Sequence, residues 1–383
     1  MTCALPAVPV GTIRDRMYAR ASAARIPMSA AVEIIATCNF KCVHCYIAPC
    51  AERHDVMAVG QADIIFGKLA RAGTLSLLLT GGEVFTHKQF REIYLSAKRH
   101  GLMPNINTNG YLIGPRWADF LAEYPPELVS ISLYGLTSER YEQVTGIPNS
   151  FERVVRALDL LEQRGVPFEL KCPAMTPTAD EIPAMKAFAA ARGVSFRYDT
   201  ILSPQERGDA APLQLQLAPK TVVDLDEQMN PGYDEFHRLL NRAQPRDRSK
   251  VYRCGGGRTA LAVNVHGGVS TCVTSRQVVG NLLEEPFEEI WAALGNKVER
   301  RFPDGHPCAT CRFRSMCVAC PATVEQVTGA PEGYVQQYCK ITHLRAQRMG
   351  IHATGIPRTV TEGIPAGVRT VSARAARALP VVL

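Results

Sequence analysis

Between residues 31 and 199, short apolar runs alternate with longer stretches whose apolar residues recur at helical spacing. The runs are Ala31–Ala36, Leu75–Leu79, Met103–Asn107, Leu128–Leu133, Val166–Met175 and Val194–Asp199. The helical stretches between them are Ala62–Ala72, Lys88–His100, Arg116–Glu123, Phe151–Arg164 and Asp180–Arg192; Val154, Val155, Leu158 and Leu161 mark the apolar face of one. Six strands alternating with helices predict an α/β fold, a parallel sheet with helices outside it. Right-handed crossovers curl such a sheet toward a barrel, whose active site gathers at the C-terminal ends of the strands. Cys38, Gly81–Glu83, Asn107–Gly110, Tyr134 and Asp199 all fall at that rim.

Beyond residue 200 the pattern changes. Leu202–Lys250 is richer in Pro, Gln and charge, yet holds helix-like Thr221–Met229 and Tyr233–Arg242, so it reads as a connecting region. Ala260–Val265 and Val269–Thr274, around Asn264-Val-His-Gly-Gly268, carry a hairpin signal. From about Gly350 the chain is rich in Ala, Arg, Thr, Val and Pro, with charges mostly at Arg358, Arg369, Arg374 and Arg377. A mobile tail is the default there, and a grip on an acidic leader peptide is the alternative. The expected organisation is an N-terminal extension (1–29), a partial (β/α)6 TIM-like barrel (30–200), a helical connecting region (201–250), a small cysteine-rich α+β domain (251–345) and a tail (346–383).

Composition narrows the function classes. A chain of 383 residues is long enough for two or three domains. Its net charge of +7 is spread along the chain, so no nucleic-acid partner is expected. No segment has the unbroken apolar length of a membrane span. The N-terminal MTCALPAVPVGTIRDRMYAR lacks a basic-then-apolar signal design, which favours the cytoplasm. In that compartment 13 cysteines indicate metal or redox work rather than disulfides.

The chemistry starts at Cys38-Asn-Phe-Lys-Cys42-Val-His-Cys45. A [4Fe–4S] cluster normally takes four thiolates; three close cysteines leave one iron open to a substrate or cofactor. A zinc knuckle usually shows paired CxxC or His partners, and inert core cysteines rarely crowd into so short a stretch.

The triplet resembles the cluster motif of the radical SAM superfamily, and an aromatic, Tyr46, follows it as in many of those enzymes. The next strand ends in Gly81-Gly82-Glu83, similar to the family's GGE element, which lies along the amino group of S-adenosylmethionine (SAM). The resemblance implies a partial barrel over about residues 30–200, with SAM contacts at Tyr46, Gly81, Gly82, Glu83, Asn107 and the ribose-binding Ser132. Relatives with this serine often carry an arginine about a dozen residues on, where this chain reads Glu142-Gln-Val-Thr-Gly146. Tyr134, Lys171, Cys172, Arg197 and Asp199 are expected in the substrate cleft. Cys172 is either a hydrogen-atom donor to a substrate radical or a small buried thiol; Asp199 is either a base or a carboxylate held by Arg197 or Tyr198.

The second cysteine field reads Cys254-x12-Gly267-x4-Cys272, then Cys308-x2-Cys311-x5-Cys317-x2-Cys320, then Cys339. It resembles the SPASM domain, which carries auxiliary iron–sulfur clusters, although the spacing before Cys320 is x2 where x3 is usual. A zinc ribbon at Cys308, Cys311, Cys317 and Cys320 is the rival. By resemblance Cys308, Cys311, Cys317 and Cys339 hold an outer [4Fe–4S] cluster, and Cys254, Cys272 and Cys320 an inner one. Two full clusters need eight thiolates and the motif offers seven, so the inner cluster has an open iron, a distant thiol or a non-Cys ligand such as Asp247.

The resemblance implies an enzyme that cleaves SAM with one electron from a flavodoxin- or ferredoxin-type donor. The resulting 5′-deoxyadenosyl radical takes a hydrogen atom from a peptide or protein substrate, which leaves a modified or crosslinked residue. Only about thirty residues precede the core, so a leader-binding module is expected as a separate protein. The alternatives are an oxidoreductase acting on a sugar, an aminocyclitol or a tetrapyrrole, and a non-catalytic iron–sulfur or zinc sensor.

Overall fold

The computed structural model describes residues 10–47, 53–206, 208–234, 236–237, 247–351 and 370–371. After helix α1 (Val10–Ala24), six strands form at the expected places: β1 (Ser29–Ile35), β2 (Ser76–Gly81), β3 (Met103–Thr108), β4 (Leu128–Ser132), β5 (Phe168–Pro173) and β6 (Phe196–Asp199). Between them run α2 (Val59–Arg71), α3 (Phe90–Arg99), α4 (Pro115–Glu123), α5 (Ser138–Thr145), α6 (Ser150–Gln163) and α7 (Ile182–Ala191). All neighbours from β1 to β6 pair in parallel. One face of the sheet packs under the helices through Val32, Leu77, Leu79, Ile106, Val129, Ile131 and Leu170, none with any exposed surface. Alternation along each strand turns the other residues to the inner face. That face is polar, with Glu33, Asn105, Asn107, Ser130, Ser132, Glu169 and Lys171.

Helix α5 lies where periodicity predicted none, because it is only 8 residues long. Its ends are nevertheless written in the sequence. Thr137 caps it by accepting from the Arg140 amide at 3.2 Å, and Gly146 closes it at φ 68°. It matters because its C-terminal carbonyls hold the cysteine loop.

The expected hairpin forms as β7 (Ala260–Val263) and β8 (Gly268–Ser270), followed by β9 (Gly280–Asn281). It is joined to the barrel: β7 pairs in parallel with β1, giving a nine-stranded sheet in the order β6-β5-β4-β3-β2-β1-β7-β8-β9. The barrel's open side is therefore the side on which the cysteine-rich part begins. Of the connecting region, α8 (Pro219–Met229) forms as expected, whereas most of Tyr233–Arg242 lies outside the described residues. Nearly all of the tail from 352 is likewise outside them; Thr370–Val371 pairs in parallel with Tyr334–Val335.

A buried ion pair ties α8 to the last long helix, Gln336–Arg348. Arg345 donates to Asp226 Oδ2 at 2.9 and 2.6 Å, and the two side chains are 2% and 6% exposed. The Arg345 guanidinium also sits 4.1 Å from the Phe236 ring centroid. Removing one partner strands a desolvated charge. Asp226→Ala is expected to lower unfolding stability by about 3–5 kcal/mol in a urea titration, whereas Asp226→Leu combined with Arg345→Met recovers most of it. A double variant no better than the single one contradicts this account.

Candidate functional site

The three cysteines lie in the loop that leaves β1. That loop is fixed by its own chain: Lys41 N donates to Thr145 O at 2.9 Å, Val43 N to Val144 O at 3.0 Å and Cys45 N to Cys42 O at 3.1 Å. The Phe40 amide points at Cys38 Sγ from 3.4 Å, and Asn109 Nδ2 lies 3.9 Å from the same sulfur while donating to Asn39 Oδ1 at 2.9 Å. Burial, together with the nearby Glu83 carboxylate, pushes the Cys38 thiol up to about 12. Burial and the charges of Cys45 and Cys38 drive Cys42 higher still. Three thiols thus sit within electrostatic reach of one another. That donor set suits a cationic iron centre.

The end of β2 runs hard against this loop. Gly82 N donates to Ile35 O at 2.7 Å and Glu83 N to Thr37 O at 3.0 Å. A Cβ on Gly81, which has φ +130°, would lie 2.0 Å from Ile35 O, and one on Gly82 would lie 2.1 Å from Thr37 O. The glycines therefore serve the approach of one strand end to another. Glu83 is fully buried and braces the rim. Its Oε1 accepts from Phe85 N at 3.2 Å and Thr108 Oγ1 at 2.7 Å, and its Oε2 accepts from Asn109 N at 2.7 Å. Burial raises its carboxyl; those hydrogen bonds and the Lys171 charge oppose the rise.

Other expected residues are distributed around the inner face. Asn107 pairs in register with Ser130, and Ser132 with Lys171. Burial, with the nearby Arg197 charge, pushes the Lys171 ammonium down to about 8. Tyr134 stands against His44, ring centroids 5.3 Å apart. Burial lowers His44 to about 4, which favours the neutral ring, and its buried Nδ1 has no partner among the described residues.

Two of the expected residues differ in their surroundings. Cys172 is 2% exposed and belongs to the apolar core, because alternation along β5 turns it toward the helices, away from Lys171. Burial holds its thiol up at about 12. It is a core residue, without access to a substrate in the barrel. Asp199 is solvent-accessible at the end of the edge strand, yet crowded by protein inside the concave mouth, which raises its carboxyl. The Arg197 charge opposes that rise while its guanidinium pairs with Glu169 at 2.6 Å; Tyr198 OH points to Asp226 at 3.3 Å, and Asp199 Oδ1 accepts from Ile201 N at 2.9 Å.

The later cysteines separate into two groups by the charges they feel. Cys308 is raised to about 12 by burial and by Cys317, Cys311 and Cys339 against the relief of Arg314. Cys339, raised to about 11 by burial, also feels Cys317 and Cys311. Cys272 is raised by burial and by Cys320 and Cys254. Cys320 thus lies with the second group despite its irregular spacing. Asp247 is engaged elsewhere: Oδ1 with Ser249 and Oδ2 with Arg301 at 2.7 Å. It is not a ligand in this arrangement. Among the described residues no three His, Cys, Asp or Glu side chains converge closely enough to hold a single metal ion.

Sequence reading missed a charged cluster between the two halves. Glu33, on the inner face of β1, is raised to about 7 by burial and by Glu206, against the relief of Arg276 and Arg53. A lone acid inside the apolar run of β1 was the available signal. The raised carboxyl makes the folded chain lose stability as pH climbs from its ordinary value of 4.5 to about 7, because ionised Glu33 is tolerated better when unfolded. Glu33→Gln is expected to gain up to roughly 3 kcal/mol over the native chain at pH 8 and almost nothing at pH 4, read by denaturant unfolding. An equal effect at both pH values contradicts the burial argument.

Known proteins match this geometry. The Radical SAM superfamily matches residues 32–188, and the SPASM iron-sulfur cluster-binding domain matches residues 254–312. The AdoMet-dependent heme synthase of Methanosarcina barkeri is 25% identical over 335 residues, covering 79% of this chain and 93% of that protein. The mycofactocin maturase MftC of Mycolicibacterium smegmatis is 27% identical over 319 residues, covering 80% of each. Streptococcus suis SuiB bound to its precursor peptide SuiA superposes with a TM-score of 0.66 at 15% identity, over 86% of this chain and 80% of that one. Among the described residues no helix is long and apolar enough to cross a membrane. A radical SAM domain holds a [4Fe–4S] cluster and SAM, and a SPASM domain holds auxiliary iron–sulfur, which is the chemistry these thiol groups suit. With a parallel partial barrel, a cysteine triplet at its rim and further thiols behind its open side, the chain is a radical SAM enzyme with a C-terminal SPASM domain.

Proposed function

We propose that this enzyme modifies a residue of a peptide or protein, and that the grouping of the later cysteines into two sets carries that reading. In it Cys38, Cys42 and Cys45 hold the SAM-binding cluster, Cys308, Cys311, Cys317 and Cys339 an outer auxiliary cluster, and Cys254, Cys272 and Cys320 an inner one. Cluster and SAM, once supplied with an electron by a flavodoxin- or ferredoxin-type donor, furnish a 5′-deoxyadenosyl radical. The chain's own groups do the rest. Gly81–Glu83, Asn107, Ser132 and Tyr46 orient SAM; the sheet and helices exclude water; Asp199, raised by its crowded surroundings, accepts a proton at the mouth. Support comes from MftC, a maturase, and from the fold shared with peptide-bound SuiB. A separate leader-binding protein would present the peptide.

A second reading, oxidation of a tetrapyrrole, is favoured by the heme synthase that aligns along 93% of its length. Anaerobic reconstitution separates these readings from a sensor. The expected result is about twelve irons per chain, as three [4Fe–4S] clusters require, with 5′-deoxyadenosine formed from SAM and dithionite. About four irons contradict the auxiliary clusters, and zinc without 5′-deoxyadenosine overturns the enzyme. A mass change in a short peptide encoded beside the gene then supports the first reading. A change only in an iron porphyrin supports the second.

A further inference from the structure

Four charged side chains from separate parts of the chain meet where the barrel opens toward the auxiliary thiols. Arg53 follows the cysteine loop, Glu206 belongs to the connecting region, Arg276 comes four residues after Cys272, and Glu33 points inward from β1. Arg53 and Arg276 both bond Glu206, the latter from Nη1 to Oε1 at 2.8 Å. The Glu206 amide donates to Tyr46 O at 2.8 Å, and the Arg276 guanidinium lies 4.9 Å from the Tyr46 ring centroid. The cluster is thereby attached to the residue after Cys45 at one end and to the strand-end loop of Cys272 at the other.

Its bonding is incomplete on the inside. Among the described residues, the buried Arg276 Nε and Nη2 have no acceptor and the buried Glu33 Oε1 has no donor. Burying polar groups without partners is costly, most of all for a charged one. The Nε–Nη2 edge of a guanidinium is a planar two-donor fork, the shape that holds a carboxylate through two parallel hydrogen bonds. Tyr46 covers its face, Glu206 occupies its outer nitrogen, and the inner fork remains.

We propose that Arg276 anchors a carboxylate of the substrate through Nε and Nη2, with Glu33 hydrogen-bonding beside it, where the inner face of β1 meets the loop that follows Cys272. The inference rests on the radical SAM reading above and adds to it a substrate class, a molecule bearing a free carboxylate. A peptide C-terminus, an acidic side chain and a carboxylated macrocycle share that chemistry. Glu33, raised to about 7, keeps a protonated fraction at neutral pH, and in that form its carboxyl donates a hydrogen bond to such a group.

The test uses the reconstituted holoenzyme and the probe propionate, with isosteric propionamide as the neutral control. Binding is read as the rise in unfolding temperature with ligand concentration. Propionate is expected to stabilise the native enzyme and propionamide not. Arg276→Gln should weaken propionate binding at least about tenfold, the effect of losing a charge-assisted pair. Arg276→Lys should fall between, because it keeps the charge without the fork. Arg300→Gln, which alters an arginine at the exposed Glu332 pair, should leave binding unchanged. Equal effects of propionate and propionamide, as expected if water fills the fork, overturn the proposal. So does propionate binding that survives in Arg276→Gln, or no propionate effect at all. Should Arg276→Gln fail to load iron, the comparison of Arg276→Lys with the native enzyme decides. Coproporphyrin III against its tetramethyl ester, and an N-acetylated pentapeptide against its C-terminal amide, identify the source of the carboxylate. Each preparation is also assayed for SAM cleavage. Native enzyme that makes no 5′-deoxyadenosine sinks the radical SAM reading, whereas cleavage without a propionate effect sinks only the subsite.

Discussion

Cys42→Ala is expected to give a folded chain that makes no 5′-deoxyadenosine. With one thiolate of the triplet gone, two remain for a cluster that needs three protein ligands and one open iron. The fold should survive, because the loop is held by main-chain bonds that do not use the sulfur: Lys41 N to Thr145 O, Val43 N to Val144 O and Cys45 N to Cys42 O. Cys42 is largely buried, so Ala leaves a small void and removes a thiol, hydrogen-bonded to Tyr134, whose ionised form the site disfavours. Iron per chain should fall by about four, with circular dichroism unchanged. Cys172→Ala is the matched control, since that thiol lies in the core on the far side of β5. It should cleave SAM as the native enzyme does. Cleavage by Cys42→Ala, or its loss in Cys172→Ala, would contradict the placement of these two thiols.

Gly82→Ala is expected to be nearly as damaging, although it adds a single methyl group. The new Cβ would sit 2.1 Å from Thr37 O, 2.5 Å from Thr37 C and 2.7 Å from Ala36 O, all backbone atoms. Backbone cannot swing aside as a flexible side chain would, so β2 and the segment before Cys38 must separate. The bonds from Gly82 N to Ile35 O and from Glu83 N to Thr37 O then stretch or break. Overpacking of this kind costs about 1–3 kcal/mol, and each lost bond adds about 1 kcal/mol. The displaced segment is the one that positions the cysteine loop, so iron loading and SAM binding should drop together. Gly60→Ala provides the contrast. Its Cβ would meet nothing within 4 Å, in the first turn of α2. Ala there should be neutral or stabilise by up to about 1 kcal/mol. If Gly82→Ala unfolds no more readily than Gly60→Ala and loads iron normally, the strand-end approach is not what requires the glycine.

Much of this was legible in the chain alone. Alternating apolar runs determined six parallel strands with helices outside them, because period-2 and period-3.6 burial leave different traces in sequence. The spacing of Cys38, Cys42 and Cys45 indicated the kind of metal chemistry, since thiols this near in sequence share one loop whatever the rest of the fold does. Tertiary structure decided what depends on distant segments meeting. It turned Cys172 into the core and Lys171 into the barrel, a choice of sheet face that hangs on register rather than residue type. It made Gly82 a requirement of the close approach to β1, whose clash partners lie more than forty residues away in sequence. It grouped Cys320 with Cys272 despite irregular spacing, and it committed Asp247 to Ser249 and Arg301. Above all it brought Glu33, Arg53, Glu206 and Arg276 together. Charges so far apart in the chain carry no local pattern, and only the pairing of β7 with β1 places them at one opening.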